Sequence, residues 1–444
     1  ATGGPAGMYA DSVYPFGHYG ASGIAFEAGV TGKNLTEWQY GLASIKPRWN
    51  VSGTYMQVLP RFISTLPDGT DEREFLLDFF HNEYEMLSMV FLKGYEWPFD
   101  VRKAGSGSSI IDILVYIECC MKGRRVFLDF RSNPLGRDID FTKLSPEAAE
   151  YLEKAGAAFG TPIDRLLHMN SPAVDFYRNK GVDLVKEPLE IALCAQHNNG
   201  GLSIDKWWQT NIEGFFAVGE VSASHGVYRP GGSALNSGQV GSTRAARFIA
   251  SNRQGAPEDM NKFKTATFGK ISEITALCDQ VTGNISNVSE IWDSAAKRMS
   301  QVGAAIRNYD SIRQTIGEIK KALDNFSQIV KINDTTELPK VYRLYDMLIC
   351  QYVYLSAMVD YTEKGGKSRG SAFYTDKSGK RLDERLPDIF SFTLDDNSRG
   401  NLIQETKLLD GKCIFNWRER RQIPREDDFF ENVWRSYREN GNVY

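Results

Sequence analysis

No CxxC spacing occurs among the six cysteines, Cys119, Cys120, Cys194, Cys278, Cys350 and Cys413, of this 444-residue chain. That excludes a zinc ribbon and a disulfide framework, so no metal is expected and a reducing, cytoplasmic setting fits best. Long hydrophobic runs are missing too: the stretches 110–117 and 344–358 are broken by Asp112, Asp346 and Gln351, short of the ~20 apolar residues that cross a bilayer. No integral membrane segment is expected. There is no GxSxG elbow and no phosphate loop of the GxxxxGK type, which removes α/β-hydrolases and P-loop kinases. A net charge of −4 gives no electrostatic reason to bind nucleic acid, and a small-molecule substrate is the expected partner. Ala1 is preceded by no Met and followed by no basic or apolar leader, and no GxGxxG fingerprint appears, so the sequence reads as starting inside a domain.

What is present is an ordinary globular composition, 42% hydrophobic and 24% charged, long enough for about three domains. Glycine is concentrated at Thr2-Gly3-Gly4 and again at Gly17-His18-Tyr19-Gly20-Ala21-Ser22-Gly23, before a short apolar helix that Gly29 stops. From Pro47 to Asp183 the pattern becomes mixed, with helices expected over 72–91, 110–120 and 146–158 and a strand over 125–130. The adjacent Cys119 and Cys120 read as buried structural thiols. After Glu187 a strand over 214–218 and a helix over 234–250 are expected. Three- and four-residue apolar spacing from Asn287 to Ile329 predicts helices opened by an Asn287/Glu290 capping box, followed by a helix over 338–361. Alternation at 403–405 and 413–421 predicts a small sheet whose arginines form a solvated ion-pair face.

The chemistry concentrates in Gln196-His197-Asn198-Asn199-Gly200-Gly201, in Gly219-Glu220 and in His225-Gly226-Val227-Tyr228-Arg229-Pro230-Gly231-Gly232-Ser233-Ala234-Leu235. Glycines let backbone approach a flat ring, and the start of the helix near Ala234 offers unpaired N–H groups and a positive dipole end. Glu220 is suited to accept hydrogen bonds from hydroxyls, while Arg229 and His197 supply charge and donors for a carboxylate.

In this order the segments resemble the flavoproteins of the fumarate reductase, succinate dehydrogenase and L-aspartate oxidase family. The resemblance implies an α/β FAD-binding domain, Rossmann-like and incomplete, with an inserted α+β capping domain and a C-terminal helical bundle. The implied boundaries are 1–48 and 186–252 for the FAD-binding domain, 49–185 for the cap, 253–370 for the helices and 371–444 for a C-terminal segment. FAD is the implied cofactor, with Thr2, Gly3, Gly4, Ser22, Gly23, Gly219, Glu220, Gly232, Ser233, Ala234 and Leu235 around it and His197 and Arg229 as catalytic residues. The implied activity is hydride transfer between flavin and a small carboxylate-bearing substrate, with an electron-transfer partner protein. The alternative is a flavin-binding subunit or module without dehydrogenase activity of its own. The nucleotide-binding part of the family's domain is expected to precede Ala1, which leaves open whether this stretch acts alone.

Departures from the pattern are as informative. Where the family carries a His in a Gln-Phe-His-Pro-Thr context, this sequence reads Gln39-Tyr40-Gly41-Leu42-Ala43, and Ser22 stands where an Asp is usual. The family's proton-delivering Arg aligns with Ser108, leaving Arg102 and Lys103 as nearby substitutes. These changes point away from dicarboxylates and toward a single carboxylate, an activated alkene or an amine.

Overall fold

The computed structural model describes residues 1–15, 18–252, 259–421 and 430–440. Gly17 lies outside the described residues, as do 253–258 of the expected helical domain and 422–429 and 441–444 of the expected C-terminal segment. The chain opens with a 3-10 turn, Ala6–Met8, then helix α1 (Ser22–Glu27) and strands β1 (Gly32–Lys33) and β2 (Trp38–Ile45). α1 stops as expected, Gly29 turning left-handed at φ +87°.

There follow β3 (Arg48–Asn50), α2 (Thr54–Gln57), β4 (Arg61–Thr65), α3 (Glu83–Leu92), α4 (Ser109–Tyr116), β5 (Arg125–Asp129), α5 (Pro146–Lys154), α6 (Pro162–Asn179), β6 (Leu189–Asn198) and β7 (Gly201–Leu202). Five strands form one antiparallel sheet in the order β3-β2-β6-β5-β4. This sheet runs across the expected boundaries at 48/49 and 185/186, because β2 and β6 pair with each other and β6 also pairs with β5. β6 is buried almost throughout, as a strand covered on both faces must be.

Three expectations in this half need correction. The helix expected over 72–91 starts only at Glu83, where Asn82 Oδ1 caps it by accepting the Tyr84 N–H at 2.9 Å; a 3-10 turn, Phe75–Asp78, precedes it. α5 ends at Lys154, with Gly156 left-handed just beyond it. The strand expected over 214–218 does not form: Phe216 makes a single bridge to Gln209, with no neighbouring strand among the described residues for the segment to join. Cys119 and Cys120 follow α4 in a π-helical turn, and burial pushes both thiols up, Cys120 to about 12, the unreactive state of structural cysteines.

The remaining elements are α7 (Ser233–Asn252), α8 (Met260–Val281), α9 (Val288–Val302), β8 (Ile306–Arg307), α10 (Tyr309–Asp324), α11 (Phe326–Ile329), α12 (Leu338–Glu363), β9 (Phe373–Tyr374), β10 (Lys380–Arg381), β11 (Ser391–Phe392), β12 (Leu402–Leu409), β13 (Lys412–Glu419) and α13 (Phe430–Asn440). α12 is the central helix, packed against α1, α9 and α10. Asn287 makes no capping box. Its Nδ2 donates to Ile329 O at 2.9 Å and its Oδ1 accepts the Lys331 N–H at 2.8 Å, fastening the start of α9 to the end of α11. The β12–β13 hairpin forms as expected and joins β1 and β7 in a second antiparallel sheet, with Arg418 paired to Glu405 at 2.7 Å. Among the described residues, the only parallel pairing between strands is the two-residue β8–β9 contact. The 214–218 segment leading toward α7 finds no strand partner among the described residues.

The parts are stitched together by one buried cation. Arg307, fully buried on β8, donates from Nε to Ala304 O at 2.8 Å, from Nη1 to Thr36 O at 2.8 Å and Tyr374 Oη at 2.7 Å, and from Nη2 to Tyr40 Oη at 3.4 Å. It ties the start of β2 to the end of the α9 segment and to β9. An ammonium has neither the reach nor the planar fork to replace these bonds. Arg307→Lys is expected to cost about 3 kcal/mol, the order of leaving two buried acceptors unpaired, read as a lower urea midpoint; an unchanged midpoint would contradict this role.

Candidate functional site

The β2–β6 ladder sets the site. Gln39 pairs with His197 and Tyr40 with Ala195, so Gln196 is an extra residue on β6, a bulge that re-aims the side chains around it. Gln39 then reaches a segment far away in sequence: Arg229 Nε donates to Gln39 Oε1 at 2.8 Å, and Gln39 Nε2 donates back to Arg229 O at 3.5 Å. The guanidinium is clamped through Nε, while its two Nη groups have no hydrogen-bond partner among the described residues. Burial lowers the Arg229 pKa, and the nearby Glu220 opposes that shift; the group stays cationic. It is a planar fork with two donors free.

His197 lies beside it, 7% exposed. Asn199 Nδ2 donates to Val227 O at 3.2 Å, so Asn199 Oδ1 is the end that faces His197 Nδ1 at 3.0 Å, and Nδ1 carries the hydrogen. Nε2 is left as a buried lone pair with no partner among the described residues. Burial first, then the charge of Arg229 and the neighbouring His225 ring, 4.9 Å away, push the His197 pKa down to about 3. Burial and the neighbouring charge thus favour a neutral His197 with Nε2 as an acceptor.

Glu220 sits in the 3-10 turn Gly219–Val221, and its Oε1 accepts the Asn198 N–H at 2.7 Å and the Tyr14 hydroxyl. Burial raises its pKa. Gly4 belongs to the same corner, since a Cβ there would lie 2.7 Å from Asn198 Cβ and 2.8 Å from Glu220 Oε1. Gly3, at φ +70°, leaves room for the His18 ring. Thr2 is exposed. Gly232, Ser233, Ala234 and Leu235 form the open start of α7, with Gly219 against its Gly238. Ser22 is fully buried, and Gly23 faces α12: a Cβ there would strike the Asp346 carbonyl, and the Ile24 N–H donates to Asp346 Oδ1 at 2.8 Å. The structure thus gathers Gly4, His197, Gly219, Glu220, Arg229 and the start of α7, while Gly23 serves helix packing.

Of the three cap residues, Ser108 is fully buried with its N–H on Glu96 Oε2 at 2.7 Å, and Lys103 is paired with Glu96 at 3.2 Å. Arg102, held by Asp100, lies 4.1 Å over the ring of Tyr228, next in sequence to Arg229. It alone of the three reaches the rim. Sequence reasoning assigns no role to Tyr14, Asn198 or His225. Asn198 and His225 lie inside motifs that are legible in the sequence, but no local pattern announces that Tyr14 meets Glu220.

The residues fit a flavin on structural grounds. Asn198 Oδ1 is buried without a partner among the described residues, and the space around Gly219, Gly226, Gly231 and Gly232 has no atom within 4 Å of an added Cβ. The electrostatics make a separate prediction. Ring-proton NMR should show His197 neutral well below its ordinary 6.5, and Arg229→Gln should raise its pKa; a His197 that titrates near 6.5 would contradict the geometry.

Parts of the chain are similar to known proteins. The FAD binding domain family matches residues 122–235. An uncharacterized FAD-dependent oxidoreductase of Methanocaldococcus jannaschii is 32% identical over 180 residues, 38% of this chain and 30% of that protein. A subunit of the CoM/CoB fumarate reductase of Methanothermobacter marburgensis is 31% identical over 196 residues, 43% of this chain and 35% of its own length. The matched stretch thus spans about a third of these relatives. In fold, the quinol fumarate reductase flavoprotein of Escherichia coli superposes with a TM-score of 0.60 at 20% identity, over 96% of this chain and 66% of that one. No helix among the described residues is long and apolar enough to cross a membrane. Over part of its length the chain is similar to flavoproteins of fumarate reductase, succinate dehydrogenase and L-aspartate oxidase, and FAD is the cofactor these likenesses indicate.

Proposed function

We propose that the chain works with FAD to oxidise or reduce a small substrate carrying one carboxylate. When bound, FAD supplies the hydride chemistry. Arg229 holds the carboxylate with its two Nη donors, and Gln39 fixes the plane of the fork through Nε. His197 Nε2 accepts a hydrogen bond from an O–H or N–H beside the reacting carbon. A bound carboxylate offsets the field of Arg229, the second cause of the low His197 pKa, so the imidazole becomes a better proton acceptor once substrate is in place. Thr2, Gly3, Gly4, Gly219, Glu220, Gly232, Ser233, Ala234 and Leu235 are proposed to hold the flavin, with Ser22 and Gly23 acting through the packing of α1.

A partner protein is proposed as the other electron carrier, in line with the relative that is one subunit of a fumarate reductase. The observation that carries the reading is the clamped guanidinium with two unpaired donors beside a neutral imidazole whose Nε2 is free.

Anaerobic visible spectroscopy tests it. A small carboxylate is expected to bleach the oxidised flavin or to reoxidise the reduced one, and Arg229→Gln should lower kcat/KM about 100-fold, the scale of a lost charge-assisted pair. A flavin that binds and ignores every carboxylate would instead identify a flavin-binding module without activity, consistent with Gly41 and Ser108 in place of the family's two polar groups.

A further inference from the structure

The turn at Arg369 and Gly370, beyond α12, touches two of the segments that hold the candidate site. Arg369 is 9% exposed, and its Nε and Nη2 both donate to Glu37 Oε1, at 3.1 and 2.7 Å. Glu37 is 3% exposed, and the same oxygen accepts the Thr36 hydroxyl at 2.9 Å. Gly370 is left-handed at φ +57°, and a Cβ there would lie 3.2 Å from Val227 Cγ1 and 3.4 Å from Val227 O. Its N–H donates to Tyr228 Oη at 3.2 Å.

The two contacts meet on one residue. Glu37 O accepts the backbone N–H of Asn199 at 3.1 Å and that of Gly200 at 3.0 Å. Val227 O accepts Asn199 Nδ2 at 3.2 Å, which turns Asn199 Oδ1 toward His197 Nδ1. The residue gripped by Arg369 thus holds the backbone of Asn199, and the residue against which Gly370 packs holds its side chain. A further hold, the His225 N–H on Asn199 O, is longer at 3.4 Å. The guanidinium itself is well fixed: Asp395 lies 4.0 Å from Nη1, and the Tyr361 ring is 5.0 Å away beneath it. A carboxylate as buried as Glu37 requires such a cation, so the charge of Arg369 is used within the protein.

We propose that Arg369 is a positioning residue for the candidate site: it fixes both ends of Asn199, through Glu37 and through Gly370, and so decides which nitrogen of His197 is bare. This rests on the reading of His197 Nε2 as the proton acceptor. A lysine keeps the charge opposite Glu37 but lacks the planar fork that places two donors on one oxygen. Glu37 then loses its fixed place, and Asn199 with it. Without Asn199 Oδ1 against Nδ1, a neutral imidazole carries its hydrogen on either nitrogen.

Long-range 1H–15N correlation spectra of the full chain read the tautomer directly, with the His197 signals identified by their loss in His197→Gln. The unsubstituted protein is expected to show the Nδ1–H form. Arg369→Lys and Arg369→Gln should each lower the ratio of Nδ1–H to Nε2–H forms about tenfold, the scale of one neutral hydrogen bond. Asn199→Ala should do the same, and adding Arg369→Lys to it should change nothing further, because both act through one contact. A general loosening of the fold would instead add to the effect of Asn199→Ala. Arg369→Lys retains the charge and carries the test if Arg369→Gln does not fold. A His197 that keeps its Nδ1–H form in Arg369→Lys, effects that add in the double variant, or an unsubstituted protein in the Nε2–H form would overturn the positioning role. Calorimetry with propionate reports separately on Arg229: no binding would remove the carboxylate reading and leave the tautomer result standing.

Discussion

The antiparallel pairing of β2 with β6, and the bulge within it, is the constraint on which the candidate site depends. It sets Gln39 opposite His197, adds Gln196 as an unmatched residue and places Gly41 on the same face. A one-residue slip in this ladder would turn Gln39 and Gly41 away from the site and bring their neighbours in. The ladder is protected from such a slip by burial along β6 and by Arg307, which holds the start of β2 through Thr36 and Tyr40. The buried arginine that fastens the helical part to the sheet also fixes the register of the site.

On that frame the electrostatics are a matter of one cation and one neutral ring. Arg229 is tethered by a neutral amide and not by a carboxylate, so its charge is not spent inside the protein. That unspent charge helps keep His197 deprotonated, and the Asn199 contact determines which nitrogen is left bare. An anion bound to Arg229 and a proton on His197 therefore favour each other, a coupling that is reciprocal by thermodynamic necessity. Glu220 accepts from Asn198 and Tyr14, and it acts on the guanidinium through its charge, with no hydrogen bond between the two.

What the sequence disclosed was mostly local. The stop at Gly29, the β12–β13 hairpin, α12 and the start of α7 all follow from glycine, alternation or apolar spacing within a few residues. The misplaced elements are those decided at a distance: 214–218 has the composition of a strand but no neighbour to pair with, and Asn287 uses its side chain on Ile329 and Lys331 instead of on its own helix. The site divides in the same way. His197, Glu220 and Arg229 are visible as motif residues, but the Gln39–Arg229 clamp spans 190 residues and is created by strand register, which no local pattern reports. The chemical sense of His197 was likewise invisible, because it turns on which end of Asn199 faces the ring.

The central claim is that one corner of the molecule holds a flavin against Glu220 and the start of α7 while Arg229 holds a carboxylate beside His197. A crystal structure of the protein with FAD and propionate tests this most directly. The account predicts the flavin ring next to Glu220 and Ser233, and the propionate carboxylate on the two Nη groups of Arg229. A carboxylate bound elsewhere, or a flavin seated away from Glu220, would contradict it.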